Sequence, residues 1–247
     1  MPELMPPFDT KKQDFENFAH ETLKTFALTG NYNKWVCDSF EEYISGKTIL
    51  EVGCGIGNLT RRFVKVCGRV IGIDTSDLFI RHLKVDYPEM ELYNFDISDK
   101  KVIVLSEKGI DAVVAINVLE HVKDDEQSLR NIREILRPGG RLILYVPALS
   151  WLYGTIDEEL AHYRRYDKAD LIKKLERSGF EVEKISFSNV LGIIGWFLNG
   201  KIFRRKAFPI MQTIVFDRLV PALAKLEKLV RLPIGMNLTV IAIKNKA

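Results

Sequence analysis

Seven residues near the start of the chain, 51–57, constrain its fold more than any other segment. They read Glu-Val-Gly-Cys-Gly-Ile-Gly and follow a short apolar run at 48–50. Residues 58–66, which come next, have the pattern of a helix. A strand that turns through glycines into a helix directs backbone N–H groups and a helix N-terminus toward a bound ligand. Segment 51–57 therefore predicts a ligand-binding turn between a strand and a helix.

The spacing of the glycines limits the kind of ligand. The order is acidic-x-Gly-x-Gly-x-Gly, which differs from the Gly-x-Gly-x-x-Gly of dinucleotide-binding loops. The carboxylate of Glu51 would add nothing to pyrophosphate binding, whereas it suits a cationic or zwitterionic ligand. An NAD-dependent oxidoreductase is therefore the less favoured alternative. We interpret Cys54 as a small residue of the turn and not as a catalytic thiol.

Apolar runs and helical patterns alternate through residues 48–146. Regular alternation of this kind predicts a parallel sheet with right-handed crossovers. Strands are predicted at 48–53, 69–74, 90–95, 111–117 and 141–146, and helices at 59–66, 78–87 and 125–136. Beyond residue 146 the pattern predicts a helix at 168–178 and strands at 180–187 and 238–244.

Five motifs in this region stand in the order that they have in the class I S-adenosylmethionine (SAM)-dependent methyltransferases. The chain resembles that family from about Lys47 to Ala148. The motifs are Leu50-Glu51-Val52-Gly53-Cys54-Gly55-Ile56-Gly57, Ile71-Gly72-Ile73-Asp74, Asn94-Phe95-Asp96-Ile97, Ala115-Ile116-Asn117-Val118-Leu119-Glu120-His121-Val122 and Leu136-Arg137-Pro138-Gly139-Gly140. Five motifs in the family's order are stronger evidence than any one of them alone.

The resemblance implies a Rossmann-like, doubly wound α/β fold. Its sheet would have seven mostly parallel strands with the last one antiparallel, and helical additions around it. We expect a single domain over residues 1–247 with a SAM-binding core at 47–148. The expected additions are an N-terminal helical arm (11–44), a connector (148–167) and a helical insertion (188–233).

The resemblance also implies SAM as methyl donor and locates its site. Asp74, at the end of the second predicted strand, would accept the ribose hydroxyls. Asp96 and the main chain of Ile97 would contact the adenine, and the main chain near Asn117 and Val118 would lie against the methionine portion. The alternative for Asp74 and Asp96 is a helix cap. The predicted donor-binding residues are Glu51, Gly53, Cys54, Gly55, Gly57, Asp74, Thr75, Asp96, Ile97, Asn117 and Val118.

Segment 151–167 follows the fifth predicted strand and supplies the candidate acceptor-binding side chains. The guanidinium groups of Arg164 and Arg165 suit a carboxylate or phosphate, and the imidazole of His162 suits proton transfer. The alternative is that both arginines pair with the acids at 157–159. The candidate catalytic residues are His162, Tyr163, Arg164 and Arg165. His121, in the motif after the fourth strand, is interpreted as fixing its loop by hydrogen bonding.

Two classes of acceptor fit this segment. A carboxylate is already ionised at neutral pH and needs only orientation, which Arg164 or Arg165 would supply. A hydroxyl of a quinone-like, phenolic or lipid acceptor needs its proton removed, for which His162 is the candidate base. The cationic segment favours a small-molecule or peptide carboxylate, and a peptide C-terminus is included. A non-catalytic SAM-binding subunit is the alternative of another class.

The predicted insertion, 188–233, concentrates positive charge. It holds eight lysines and arginines against Asp217 and Glu227, whereas the whole chain has a formal net charge of only +3. We therefore expect an anionic partner and no nucleic acid, with peripheral membrane contact through 192–206 as one option. A run of apolar residues has helical spacing and is predicted to pack on the body, with Pro221 kinking or interrupting it. That run is Phe216, Leu219, Val220, Leu223, Leu226 and Val230.

The three cysteines, Cys37, Cys54 and Cys67, lack metal-ligand spacing. Their number and placement fit a reducing compartment, and no metal site is predicted. The first residues show no basic region followed by an apolar run, so we predict no signal peptide and a cytoplasmic protein. The oligomeric state stays open.

Overall fold

The computed structural model describes residues 20–207, 209–230 and 233–245, and a seven-stranded sheet lies at its centre. The strands are β1 (Thr48–Val52), β2 (Arg69–Asp74), β3 (Glu91–Asn94), β4 (Ile110–Ile116), β5 (Leu136–Pro147), β6 (Phe180–Ser188) and β7 (Asn237–Lys244). Their order across the sheet is β3-β2-β1-β4-β5-β7-β6. Strand β7 is antiparallel to both of its neighbours, and the other pairings are parallel. This confirms the predicted Rossmann-like sheet.

Helices lie before the first strand and in the connections between the strands. They are α1 (Gly30–Asp38), α2 (Thr60–Val66), α3 (Asp77–Asp86), α4 (Asp125–Ile135), α5 (Thr155–Glu159), α6 (Lys168–Arg177), α7 (Val190–Trp196) and α8 (Ile210–Leu229). Residues 20–27 are also helical, whereas 11–19 of the predicted N-terminal arm lie outside the described residues. The sequence missed the 3₁₀ segment Lys100–Lys108, and β5 begins five residues before its predicted start at 141.

The core lies on both faces of the sheet. Neighbouring residues of a strand point to opposite faces, so Val113 of β4 packs in one buried cluster and Val114 in the other. Central strands that are buried on both faces read as continuous apolar runs, as β4 does. The two clusters hold the strands rigidly, which fixes the positions of the loops at their carboxyl ends.

The strand order reverses between β1 and β4. The chain builds outward from β1 through β2 to β3 and then returns to place β4 on the other side of β1. Open α/β sheets bind ligands in the crevice outside the carboxyl ends of the strands at such a reversal. The glycine turn after β1 and the motif after β4 both lie there.

Helix α8 differs from its prediction in two ways. It runs without interruption through Pro221. Proline cannot donate to the carbonyl four residues earlier, and that carbonyl, of Asp217, instead accepts a hydrogen bond from Asn31 Nδ2 at 3.2 Å. Leu219 and Leu226 are exposed, 52% and 57%, although the spacing predicted that they pack on the body.

None of the helices within residues 20–207, 209–230 and 233–245 combines the length and the apolar character needed to cross a membrane.

Candidate active site

A cavity of about 1420 Å³ opens where the strand order reverses. Its wall includes every predicted donor-binding residue except Gly57, and His162, Tyr163 and Arg165 of the predicted acceptor segment. Residues of the N-terminal arm, among them Leu23 and Tyr32, also line it. The structure therefore brings the two predicted halves of the site to one cavity.

The turn after β1 requires glycine for two physical reasons. Gly53, Gly55 and Gly57 have φ angles of 72°, 51° and 83°, in the left-handed region that side chains disfavour. A Cβ atom at Gly53 would lie 2.5 Å from Val118 Cγ2, and one at Gly57 would lie 2.6 Å from Leu83 Cδ1. Gly53 thus allows the loop after β4 to approach the turn, while Gly57 allows α3 to pack behind it.

Glu51 places a shielded carboxylate at the donor end of the cavity. Its exposure is 4%, and its Oε2 accepts a hydrogen bond of 2.6 Å from Thr60 Oγ1. Burial raises the pKa of Glu51 to about 8. A cationic group bound beside it would favour the ionised form.

Asp74 joins the end of β2 to the glycine turn. Its carboxylate accepts hydrogen bonds of 2.9 Å from the main-chain N–H groups of Gly55 and Ser76. The side chain also lines the cavity, where a carboxylate can accept hydrogen bonds from ligand hydroxyls. Asp74 is therefore held in place by the protein while it faces the cavity.

The loop after β3 is also fixed by hydrogen bonds. Asp96 Oδ1 accepts from Ser98 N and Ser98 Oγ, both at 2.8 Å, in a local turn, whereas the cap of the following 3₁₀ segment is Asp99. Asn131 Nδ2 donates to the carbonyl of Ile97 at 2.8 Å, which fixes that main chain at the cavity wall.

A buried carboxylate, Asp157, organises the connector. It accepts hydrogen bonds from Gly154 N, His162 Nδ1, Arg165 Nε and Trp196 Nε1 at 2.8–3.0 Å. Burial alone would raise the pKa of Asp157, but the bonds from His162 and Trp196 and the charge of Arg165 hold it below its usual value. The structure thus shows Arg165 paired with Asp157, which is the alternative interpretation of this arginine.

Arg164 lies outside the cavity wall. Its Nη1 is 2.6 Å from Asp125 Oδ2, and its Nη2 donates to the carbonyl of Lys123 at 2.7 Å. Lys174 and Tyr166 also bond to Asp125, which is 3% exposed. The predicted acceptor contact of Arg164 therefore has no support in the structure, because its guanidinium is held by a buried acid.

Three groups meet at the acceptor end of the cavity: Glu120, His121 and His162. The two imidazole rings are edge to face with centroids 4.7 Å apart. Glu120 is 1% exposed, and burial raises its pKa to about 7. The main-chain carbonyl of Leu160 lies close to the His121 ring.

Sequence reasoning did not single out Glu120 or Asp157 as site residues. A signal for Glu120 was present, since it precedes His121 just after a central strand, where ligands bind. Asp157 was considered only as a possible partner of the two arginines, because Trp196, another of its donors, comes from the insertion.

The comparisons with known proteins agree with this geometry. A family model described as a methyltransferase domain matches residues 50–142. A protein of Mycolicibacterium smegmatis named "Probable S-adenosylmethionine-dependent methyltransferase" is 31% identical over 141 residues, 56% of this chain and 54% of that protein. A Coxiella burnetii protein named ubiquinone biosynthesis O-methyltransferase is 30% identical over 100 residues, 40% of this chain and 43% of that protein.

The chain thus spans about half the length of the curated relatives that it matches. Among solved structures, a TehB-like SAM-dependent methyltransferase of Corynebacterium glutamicum has the same fold, with a TM-score of 0.57 and 22% identity. That likeness covers 95% of this chain and all of the other one.

Proposed function

The chain belongs to the class I SAM-dependent methyltransferases, and we propose that it transfers a methyl group from SAM to a hydroxyl oxygen of an apolar acceptor. The observation that carries the choice of a hydroxyl is the cluster of Glu120, His121 and His162 in the cavity wall. A hydroxyl must lose its proton to become a good nucleophile, and imidazole and carboxylate groups assist that loss.

The donor half of the cavity fits SAM. Glu51 would face its cationic part, Asp74 its ribose, and Asp96 with Ile97 its adenine, while the main chain at Asn117 would line its amino-acid portion. SAM supplies a sulfonium methyl group that needs no further activation. The protein's contribution on this side is to orient the donor and exclude water, and such positioning is worth roughly 7–11 kcal/mol in well-oriented systems.

A carboxylate acceptor is the second candidate. It retains one supporting observation, because Arg165 lines the cavity and its Nη2 has no hydrogen-bond partner among the described residues. It loses the support of Arg164, which pairs with Asp125. The name of the Coxiella burnetii relative, a ubiquinone biosynthesis O-methyltransferase, also favours oxygen in an apolar molecule as the acceptor.

Two matched acceptors test the choice. The purified chain would be incubated with methyl-labelled SAM and either catechol, which offers hydroxyls, or benzoate, which offers a carboxylate. We expect label only in catechol. His162→Gln should lower that turnover by about 10²–10⁴-fold, the usual range for a proton-transfer group, with little change in SAM affinity.

His82→Gln is the control, because His82 is an exposed histidine of α3 outside the cavity wall. It should keep wild-type turnover. Labelled methyl benzoate without methylated catechol would contradict the proposal.

We also propose that the insertion rests on an anionic lipid surface. Exposed apolar side chains follow one face of α8 at helical spacing, namely Met211, Val215, Leu219, Leu226 and Leu229. Basic residues flank them and are also exposed, among them Lys201, Arg204, Lys206, Arg218, Lys225 and Lys228. An apolar face bordered by cations suits the boundary between anionic headgroups and acyl chains. Such a surface would also present apolar acceptors.

Vesicle co-sedimentation tests the lipid contact. The chain should bind phosphatidylserine-containing vesicles, and added salt should weaken this binding. The double variant Leu226→Ser/Leu229→Ser should lose it, whereas Val85→Ser, at an 80% exposed position on α3, should not. Equal binding by the double variant, or dimerisation through these leucines in place of vesicle binding, would refute the proposal.

A further inference from the structure

We propose that Glu120, His121 and His162 form a binding site for a divalent transition-metal ion that receives the acceptor's hydroxyl oxygen. This inference deepens the proposed function and rests on it for the identity of the acceptor group. The binding of the metal itself can be measured independently of any acceptor.

The first observation is the distance between the ligand atoms. One oxygen of Glu120 and one ring nitrogen each of His121 and His162 lie within 4.8 Å of one another. Metal–ligand bonds of about 2.0–2.2 Å place two ligands of one ion up to about 4 Å apart. Small side-chain movements would therefore bring these atoms to bonding distance.

The second observation is the carboxylate of Glu120. Both of its oxygens are buried and accept no hydrogen bond from another residue in the described part of the chain. The buried charge of Arg165 attracts Glu120, but Arg165 forms its ion pair with Asp157. A shielded carboxylate that accepts no hydrogen bond from a neighbouring residue is costly, and a bound cation would lower that cost.

The third observation concerns the other nitrogen of each imidazole. His162 uses Nδ1 to bond Asp157 Oδ1 at 2.9 Å, which directs Nε2 away from that acid. The main-chain carbonyl of Leu160 lies close to the His121 ring. Metal-binding histidines usually bond a carboxylate or carbonyl through their second nitrogen, which fixes the ring and its tautomer. His162 has this arrangement.

The donor set indicates which metals fit. Two imidazoles and one carboxylate favour Zn²⁺, Mn²⁺, Fe²⁺ or Co²⁺ over Mg²⁺ or Ca²⁺, which prefer oxygen ligands. Three protein ligands also leave coordination positions for an outside oxygen. His121 is exposed to the cavity, so these positions can face the acceptor.

The ion would act by lowering the pKa of the acceptor hydroxyl. The O–H bond breaks and its proton passes to solvent, so His162 assists this loss as a ligand of the ion and not as the base. The oxygen then forms a bond to the methyl carbon while the sulfur–methyl bond breaks, and the sulfonium becomes a neutral thioether. Atoms and charge balance without an oxidant or reductant.

Metal titration tests the site. The full chain, free of any histidine tag, would be stripped with a chelator and titrated with Zn²⁺ by calorimetry and with Co²⁺ by visible absorption. We expect one equivalent to bind. Glu120→Gln and His162→Gln should each weaken metal affinity by at least about 10–100-fold. That is the loss typical when a ligand's outer hydrogen-bond partner is removed, and loss of a ligand itself should cost no less. His82→Gln should leave binding unchanged.

Absence of binding, or equal binding by the Glu120→Gln and wild-type chains, would overturn the metal site. The proposed function has a separate readout. Full methylation of catechol by metal-stripped protein would keep the hydroxyl acceptor and reject the metal's role. Tight metal binding with methylation of benzoate alone would keep the site but reject both the hydroxyl acceptor and the ion's role in activating it.

Discussion

Glu51 lies at the end of β1, and its carboxylate is shielded from water. Within the described part of the chain, it accepts a side-chain hydrogen bond only from Thr60. Its pKa of about 8, against an ordinary 4.5, means that the folded chain without ligand holds a proton that the unfolded chain has lost. The free energy of unfolding should therefore decrease as the pH rises from about 4.5 to 8. A cation bound beside Glu51 would offset that loss.

SAM binding should consequently strengthen with pH. Only the ionised fraction of Glu51 attracts the cationic donor, so we expect the apparent Kd to fall by up to about tenfold per pH unit between pH 6 and 8. Calorimetric titration in buffers of different ionisation enthalpy would show a proton released on binding.

Glu51→Gln should remove this pH dependence and weaken SAM binding at pH 8, while it raises the thermal stability of the free protein there. If the variant binds SAM with wild-type affinity at both pH values, Glu51 does not face the donor's charge.

At the scale of single residues, the sequence indicated the chemical type of a side chain more clearly than its hydrogen-bond or ion-pair partner. The glycine turn and Asp74 are adjacent to predicted strand ends, so local pattern was enough to place them. The pairing of Arg164 with Asp125 was not predicted, because Asp125 lies 39 positions away and only the packed fold brings the two together. Glu120 belongs to a motif that is visible in the sequence. Its approach to His162, however, depends on the path of the connector.

At the scale of elements, the two acids of the basic insertion serve as helix caps. Asp217 of α8 accepts from Tyr32 N at 2.8 Å and Asn31 N at 3.4 Å, in the first turn of α1. Glu227 accepts from Asn189 N and Val190 N at 3.0 and 2.9 Å, at the start of α7. A carboxylate at a helix N-terminus satisfies unpaired N–H groups and opposes the helix dipole. The Asp217 contacts join the insertion to the N-terminal arm, and the Glu227 contacts join two helices of the insertion.

Asp217→Ala should destabilise the chain by about 1 kcal/mol, the usual cost of losing an N-cap. SAM affinity should fall as well, because Tyr32 and Asn33 of α1 line the cavity. Urea unfolding and SAM titration would measure the two effects.

Asp170→Ala, an exposed acid in the first turn of α6, is the matched control and should change stability by less than about 0.5 kcal/mol. Equal effects of the two variants would show that the cap contributes nothing beyond local charge.

At the scale of the whole molecule, strand and helix positions followed from periodicity, because each element of the sheet has a strong local pattern. The packing of the insertion did not follow from periodicity. Helical spacing located α8, but the same spacing cannot say whether an apolar face packs on the body or faces solvent. The predicted kink or interruption at Pro221 depended on local sequence in the same way. Asn31, from another part of the fold, donates the hydrogen bond that Pro221 cannot supply.

Under the proposed function, the whole molecule holds a SAM-derived methyl group and a hydroxyl oxygen in one cavity. The most direct test is to incubate the purified chain with methyl-labelled SAM and a host extract, and then to treat the product with mild base. A methyl ether keeps its label under these conditions, and base-stable label in an apolar product is the predicted result. Release of volatile labelled methanol would identify a methyl ester and contradict the hydroxyl acceptor.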